Sequence, residues 1–117
     1  MDKEYVEAMQ VSAYALHRRL PHNCTELQQR SASILIEWIQ TLIDELIAIQ
    51  SVTLDHNQRH HLRNILTPIL SYASLLSSGR TGDLPEMLYR YSHQVAQSVR
   101  DFNTALDTLR DNWNSVA

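Results

Sequence analysis

Three histidines occur within residues 56–64, in the sequence HNQRHHLRN. On a helix, side chains four positions apart lie on one face, so His56, His60 and Asn64 would form a row. Because a solvated imidazole is largely uncharged at neutral pH, its free ring nitrogen can attack phosphorus. The spacing therefore predicts that His60 is an exposed nucleophile that a docking partner could reach.

A second interpretation is that two of these histidines are metal ligands. The i, i+4 spacing of His56 and His60 would let two imidazoles share an ion, with Asp55 as a third donor. A strong site would need further Cys or His ligands elsewhere, and His22 and Cys24 read as loop residues. We therefore expect no metal ion and no cofactor bound by this chain.

The composition predicts one all-α domain over residues 1–117. The chain contains only two glycines and three prolines. Leu, Ile, Ala, Gln, Glu and Arg dominate the rest, as in long helices with few turns. A chain of this length can bury a core without a metal or a disulfide.

The charge distribution argues against nucleic acid and membrane partners. The formal net charge is −3, and the ten basic residues are scattered, so no basic stripe could follow a phosphate backbone. The longest apolar run, SILIEWIQTLIDELIAI, contains three acidic residues that would be costly in a bilayer: Glu37, Asp44 and Glu45.

Two further observations favour a cytoplasmic, soluble protein. The first ten residues, MDKEYVEAMQ, are acidic where a signal peptide would be basic. Cys24 is the single cysteine, so no internal disulfide can form.

Helical periodicity predicts two helices in the first half of the chain. The first covers residues 2–19, with apolar positions at Tyr5, Met9, Val11, Ala13, Leu16 and Leu20. Thr25 and Gln28 form a Thr-x-x-Gln capping box at the start of the second. Its broad apolar stripe comprises Leu35, Trp38, Ile39, Leu42, Ile43, Leu46, Ile47 and Ile49.

The stretch from Gln50 to His61 has few apolar residues and leaves two alternatives. One long helix could run through it, or the helix could break and restart with Ser51 or Thr53 as its cap. The pattern then resumes at Leu62, Leu66, Ile69, Ala73 and Leu76, and stops at SSGRTGD, which contains both glycines.

Asp83, Pro85 and Glu86 predict a last helix that begins at Leu84, with Asp83 as its cap. Its core positions alternate three and four apart: Leu88, Tyr91, Val95, Val99, Phe102, Leu106, Leu109 and Trp113. The second half is thus predicted to be an antiparallel helical hairpin. It must complete a four-helix bundle with the upstream helices, with a second copy, or with both.

The sequence HHLRNILTPILSYASLL, residues 60–76, resembles the H-box of sensor histidine kinases, His-Glu-Leu-Arg-Thr/Asn-Pro-Leu-Thr. That motif opens the dimerisation and histidine-phosphotransfer domain, and the resemblance extends over residues 52–113. The resemblance aligns His60 with the phosphoacceptor, Leu62 and Leu66 with the two core leucines, Arg63 with the arginine, Asn64 with the Thr/Asn and Thr67 with the last threonine.

The chain departs from the family pattern in two places. His61 replaces the acidic residue that, in the family, orients the phosphoacceptor and takes up its proton during transfer from ATP. Ile65 stands where the family has a helix-kinking proline, and Pro68 follows one turn later, where it frees the carbonyl of Asn64. A bend close to the site is therefore still expected.

The resemblance implies catalytic roles for His60, Asn64 and Arg63. His60 would exchange a phosphoryl group with the aspartate of a response-regulator receiver, and Asn64 would position a water against the receiver's acyl phosphate. Two glycines in one turn cannot form an ATP-binding domain, so an autonomous kinase is excluded. The only metal ion implied is Mg²⁺ at a partner's receiver.

We therefore expect a two-component phosphotransfer module, either a histidine phosphotransferase or a response-regulator phosphatase, that forms a homodimer. The alternative is a non-catalytic, kinase-like interaction protein that binds a kinase or a response regulator. The substitution of the acidic neighbour by His61 favours this alternative.

Overall fold

A computed structural model describes the backbone of residues 4–49 and 54–116 and the side chains of residues 5–49 and 54–107. All regular structure in these ranges is helical. The helices are α1 (Glu4–Arg18), α2 (Glu26–Ala48), α3 (His56–Ser77) and α4 (Glu86–Val116). The predicted all-α fold is confirmed.

The four helices close into a bundle within one chain. Each helix packs against its neighbours in sequence, and α1 also packs against α4, which completes the ring. Tyr5 contacts Phe102 edge to face, and the hydroxyl of Ser12 donates to Oε1 of Gln94 at 3.0 Å, so α1 and α4 run antiparallel. The upstream helices therefore cover the α3–α4 hairpin.

Most predicted core positions are buried. Those in the second half include Leu62, Leu66, Ile69, Ala73, Leu76, Leu88, Val95, Val99, Phe102 and Leu106. The prediction was wrong for Val11 and Ile47, which are 69% and 73% exposed and point away from the bundle axis. Tyr91 is half-buried, while the side chains of Leu109 and Trp113 lie outside the described residues.

The helix starts follow local capping signals. The predicted capping box of Thr25 and Gln28 is present at α2. Helix α2 ends at Ala48, with Ile49 extended, and α3 begins at His56 after the extended Asp55, so the continuous-helix alternative is wrong. The cap of α3 is Asp55, not Ser51 or Thr53, which lie outside the described residues.

The prediction for the start of α4 was two residues early. The helix begins at Glu86, and the N–H of Leu88 donates to the Pro85 carbonyl at 2.9 Å. Asp83 is not the cap, because it lies three residues before the helix, where its backbone carbonyl accepts a hydrogen bond from Nε2 of Gln28 at 3.1 Å.

The α1–α2 and α3–α4 connections meet at one end of the bundle. The hydroxyl of Thr25 donates to the Thr81 carbonyl at 2.7 Å. Gly82 has a positive φ of 116°, and a Cβ there would lie 3.1 Å from Nε2 of Gln28 and 3.1 Å from Cγ2 of Thr25. A glycine is therefore needed both for the turn and for this close approach. The first turns of α3 lie at the opposite end.

Within the described residues, every helix is too short or too polar to cross a membrane.

Candidate functional site

The core residues of α3 determine which of its side chains reach solvent. Leu62 and Leu66 are completely buried, so the residues on the opposite side of the helix point outward. His56, His60 and Asn64 are all exposed, as predicted, and we call these three residues the His60 face. The face is accessible to a docking partner.

The two imidazoles of the His60 face lie one turn apart. The ring centroids of His56 and His60 are 6.4 Å apart, and the ring planes differ by 14°. Both side chains are exposed, so the two rings are accessible to solvent.

A capping box stabilises the start of α3, directly before the His60 face. The N–H of Gln58 donates to Oδ1 of Asp55 at 2.7 Å, and the N–H of Asp55 donates back to Oε1 of Gln58 at 3.0 Å. This capping box satisfies a backbone N–H that the first turn leaves without a helical partner. The signal is the Asp-x-x-Gln sequence, which sequence reasoning missed.

Arg63 points to the α4 side of the face. Its guanidinium forms an ion pair with Asp107, and the Arg63 carbonyl accepts a hydrogen bond from the Thr67 hydroxyl at 2.9 Å. Arg63 therefore connects α3 to α4. The catalytic role that the resemblance implies for it stays a prediction.

His61 points to the α2 side. Its Nε2 lies 3.4 Å from Oε1 of Glu45, and both side chains are partly exposed. A carboxylate from α2 thus lies beside His61. Sequence spacing contains no signal for this contact, because it depends on the packing of α2 against α3.

Ile65 and Pro68 have different environments on α3. Ile65 is 3% exposed and belongs to the core, and Pro68 lies half-buried inside the continuous helix α3. Proline has no N–H, so the carbonyl of Asn64 lacks the usual donor four residues later. Asn64, one turn after His60, thus has two polar groups near the site: its side-chain amide and its backbone carbonyl, which can accept a hydrogen bond.

Arg59 is a buried basic residue that sequence reasoning missed. It is 8% exposed, and its Nη1 donates to the Leu54 carbonyl at 2.8 Å. Its position three residues before Leu62 places it on the core side of α3, which was the available signal. This hydrogen bond connects the second turn of α3 to Leu54, just before the helix begins.

The described residues contain no group of three or more His, Cys, Asp or Glu side chains placed to hold a metal ion. A surface cavity of about 210 Å³ lies beside the α1–α2 connection. Its lining comprises His17, Leu20, Pro21, His22, Cys24 and Gln29. This cavity is at the end of the bundle opposite the His60 face.

Comparisons with protein-family models, curated proteins and solved structures gave no match. The likeness to histidine kinases therefore depends on the residues of this chain alone.

Proposed function

We propose that the chain is a two-component phosphotransfer module in which His60 exchanges a phosphoryl group with a response-regulator aspartate. The observation that supports this proposal is the placement of His60. Its imidazole projects to solvent from the outer side of α3, and Asn64 follows one turn later on the same face. A nucleophile that must meet a group on another protein needs this accessibility.

The transfer would be a displacement at phosphorus. A neutral ring nitrogen of His60 forms the new N–P bond while the P–O bond of the partner's aspartyl phosphate breaks, and the carboxylate leaves with the electron pair. The proton on the other ring nitrogen of His60 passes to water. The reverse step regenerates the aspartyl phosphate, and the chain needs no nucleotide for either direction.

Asn64 supports a phosphatase variant of this proposal. Its exposed amide can hold a water for attack on the receiver's acyl phosphate, with the partner's Mg²⁺ neutralising the phosphoryl oxygens. Arg63 is next to His60 on the α4 side and would meet the incoming phosphoryl group if Asp107 released it.

The closed bundle restricts which surface a homodimer could use. Because α1 and α2 already cover the α3–α4 seam, a second copy would have to bind another surface of the bundle.

A second candidate, a non-catalytic interaction protein, is favoured by one contact. His61 faces Glu45 of α2, so the residue next to His60 serves interhelical packing. Such a protein would use the His60 face to bind a kinase or a receiver without accepting phosphate.

A labelling experiment tests the proposal. The protein is incubated with a receiver domain phosphorylated by acetyl phosphate, and acid-labile, base-stable phosphate on the protein is measured. We expect label on the wild type and none on His60→Gln. His93→Gln replaces an exposed histidine of α4 and is the matched control, which should keep the label.

Circular dichroism should show equal helicity in all three proteins. If the wild type carries no label and His60→Gln still binds the receiver, phosphotransfer is rejected. The second candidate, a non-catalytic interaction protein, would then be supported.

A further inference from the structure

The His60 face presents two imidazoles in an arrangement that phosphotransfer does not require. His56 and His60 are both exposed, their rings are nearly parallel, and their centroids are 6.4 Å apart. A single phosphoacceptor needs no second imidazole one turn before it. The proposed phosphotransfer therefore does not account for the presence of His56.

Two imidazoles on successive turns can converge on one ion. Zinc binds histidine nitrogen at about 2.0–2.1 Å, so two nitrogens that share the ion lie about 3.3 Å apart in a tetrahedral site. Side chains four residues apart on a helix have Cβ atoms about 5–6 Å apart. Rotation of the two exposed rings toward each other can bring their tips to the required separation.

The surrounding charges allow a cation at this position. The first turn of a helix is electropositive and disfavours a cation, but the Asp55 carboxylate caps this turn next to His56. Arg59 is directed to the Leu54 carbonyl and Arg63 to Asp107, so neither guanidinium is directed at the imidazole pair.

Against the expectation from the sequence that this chain binds no metal, we propose that His56 and His60 form a two-imidazole site for a divalent transition-metal ion of the zinc type, with water completing the coordination. Imidazole ligands suit Zn²⁺ better than the hard cations Mg²⁺ and Ca²⁺, which prefer oxygen. A second consequence rests on the proposed function. The bound ion occupies a nitrogen of His60, so Zn²⁺ binding and phosphorylation of His60 exclude each other.

Titration with Zn²⁺ tests the site directly. Calorimetry on the full chain should give one Zn²⁺ per chain, and histidine side-chain NMR signals should shift for His56 and His60. His56→Gln and His60→Gln should each weaken binding by at least about tenfold, while His93→Gln should bind as the wild type does. Unchanged affinity in His56→Gln, or shifts confined to His17 and His22 beside Cys24, would overturn the proposal.

Labelling by phosphoramidate tests the competition without a receiver or Mg²⁺. The His60 ring nitrogen takes the phosphoryl group as the P–N bond of the donor breaks and ammonia leaves. Because other exposed histidines can also be labelled, the phosphorylated residue is identified by peptide mapping, and Zn²⁺ should reduce the label at His60 in wild type and in His93→Gln. Label at His60 unaffected by saturating Zn²⁺ would refute the competition, whereas failure of the phosphotransfer proposal would appear as no transfer from a phosphorylated receiver together with intact Zn²⁺ binding.

Discussion

At the residue scale, the exposure of His60 follows from two buried leucines. Leu62 and Leu66 fix the rotation of α3 about its axis, because turning either into solvent would lose about 1.5–3 kcal/mol of burial free energy. His60 lies on the opposite side and has no comparable contact. Its orientation is therefore set by the core, although the residue itself contributes little to stability.

Asn64→Ala tests the amide on the His60 face. If this amide positions the attacking water, the variant should lose about 10²-fold in the rate of receiver dephosphorylation. The exposed site should leave the free energy of unfolding within about 0.5 kcal/mol of wild type. The measurement is the decay of phosphorylated receiver with added protein.

Ser71→Ala is the matched control, because Ser71 lies on the same outer side of α3 two turns later. Equal dephosphorylation rates in wild type, Asn64→Ala and Ser71→Ala would remove Asn64 from the proposed mechanism.

At the element scale, the start of α3 determines where the His60 face begins. Asp55 ends the α2–α3 connection and caps the helix directly before His56. Without this cap the first turn would fray, and His56 and His60 would lose their defined spacing. The polar residues upstream of His60 thus have a structural purpose that hydrophobic periodicity does not reveal.

Asp55→Ala tests this cap. The variant should lower the free energy of unfolding by about 1 kcal/mol, because the N–H of Gln58 loses its acceptor. Urea denaturation followed by circular dichroism measures the change. The control is Asp101→Ala, which removes an exposed contact with Gln97 on α4 and should cost less than about 0.5 kcal/mol. Equal losses in the two variants would contradict the capping role.

At the scale of the whole molecule, the bundle needs no second copy to bury its core. The contact of α1 with α4 closes the ring, and Tyr5 and Phe102 pack across it. The helices α1 and α2 cover the α3–α4 hairpin, so the core closes within one chain.

The midpoint of thermal unfolding should therefore be independent of protein concentration. A core closed within one chain unfolds in a unimolecular step, whereas a bundle formed between chains would gain stability with concentration by mass action. Calorimetry at two concentrations about a hundredfold apart measures this. A midpoint that rises with concentration would show that the folded chain gains stability from association with a second copy.

Local patterns determined the fold class and the orientation of the His60 face, but they left open whether α2 and α3 are one helix or two. Periodicity of three and four residues specifies a helix and its buried side, and the Thr25 capping box depends only on residues three apart. The errors at Val11 and Ile47 have the same origin, since an apolar residue near a stripe is read as core whether or not another helix covers it.

Tertiary structure alone decided the contacts between residues distant in the chain. The pairing of Arg63 with Asp107, the approach of Glu45 to His61 and the closure of α1 on α4 all depend on how whole helices pack. Packing is set by the summed burial of many side chains, which no short spacing encodes. The sequence thus determined which residues were candidates for the site. The packing of the four helices decided which of these side chains form contacts with another helix and which remain exposed.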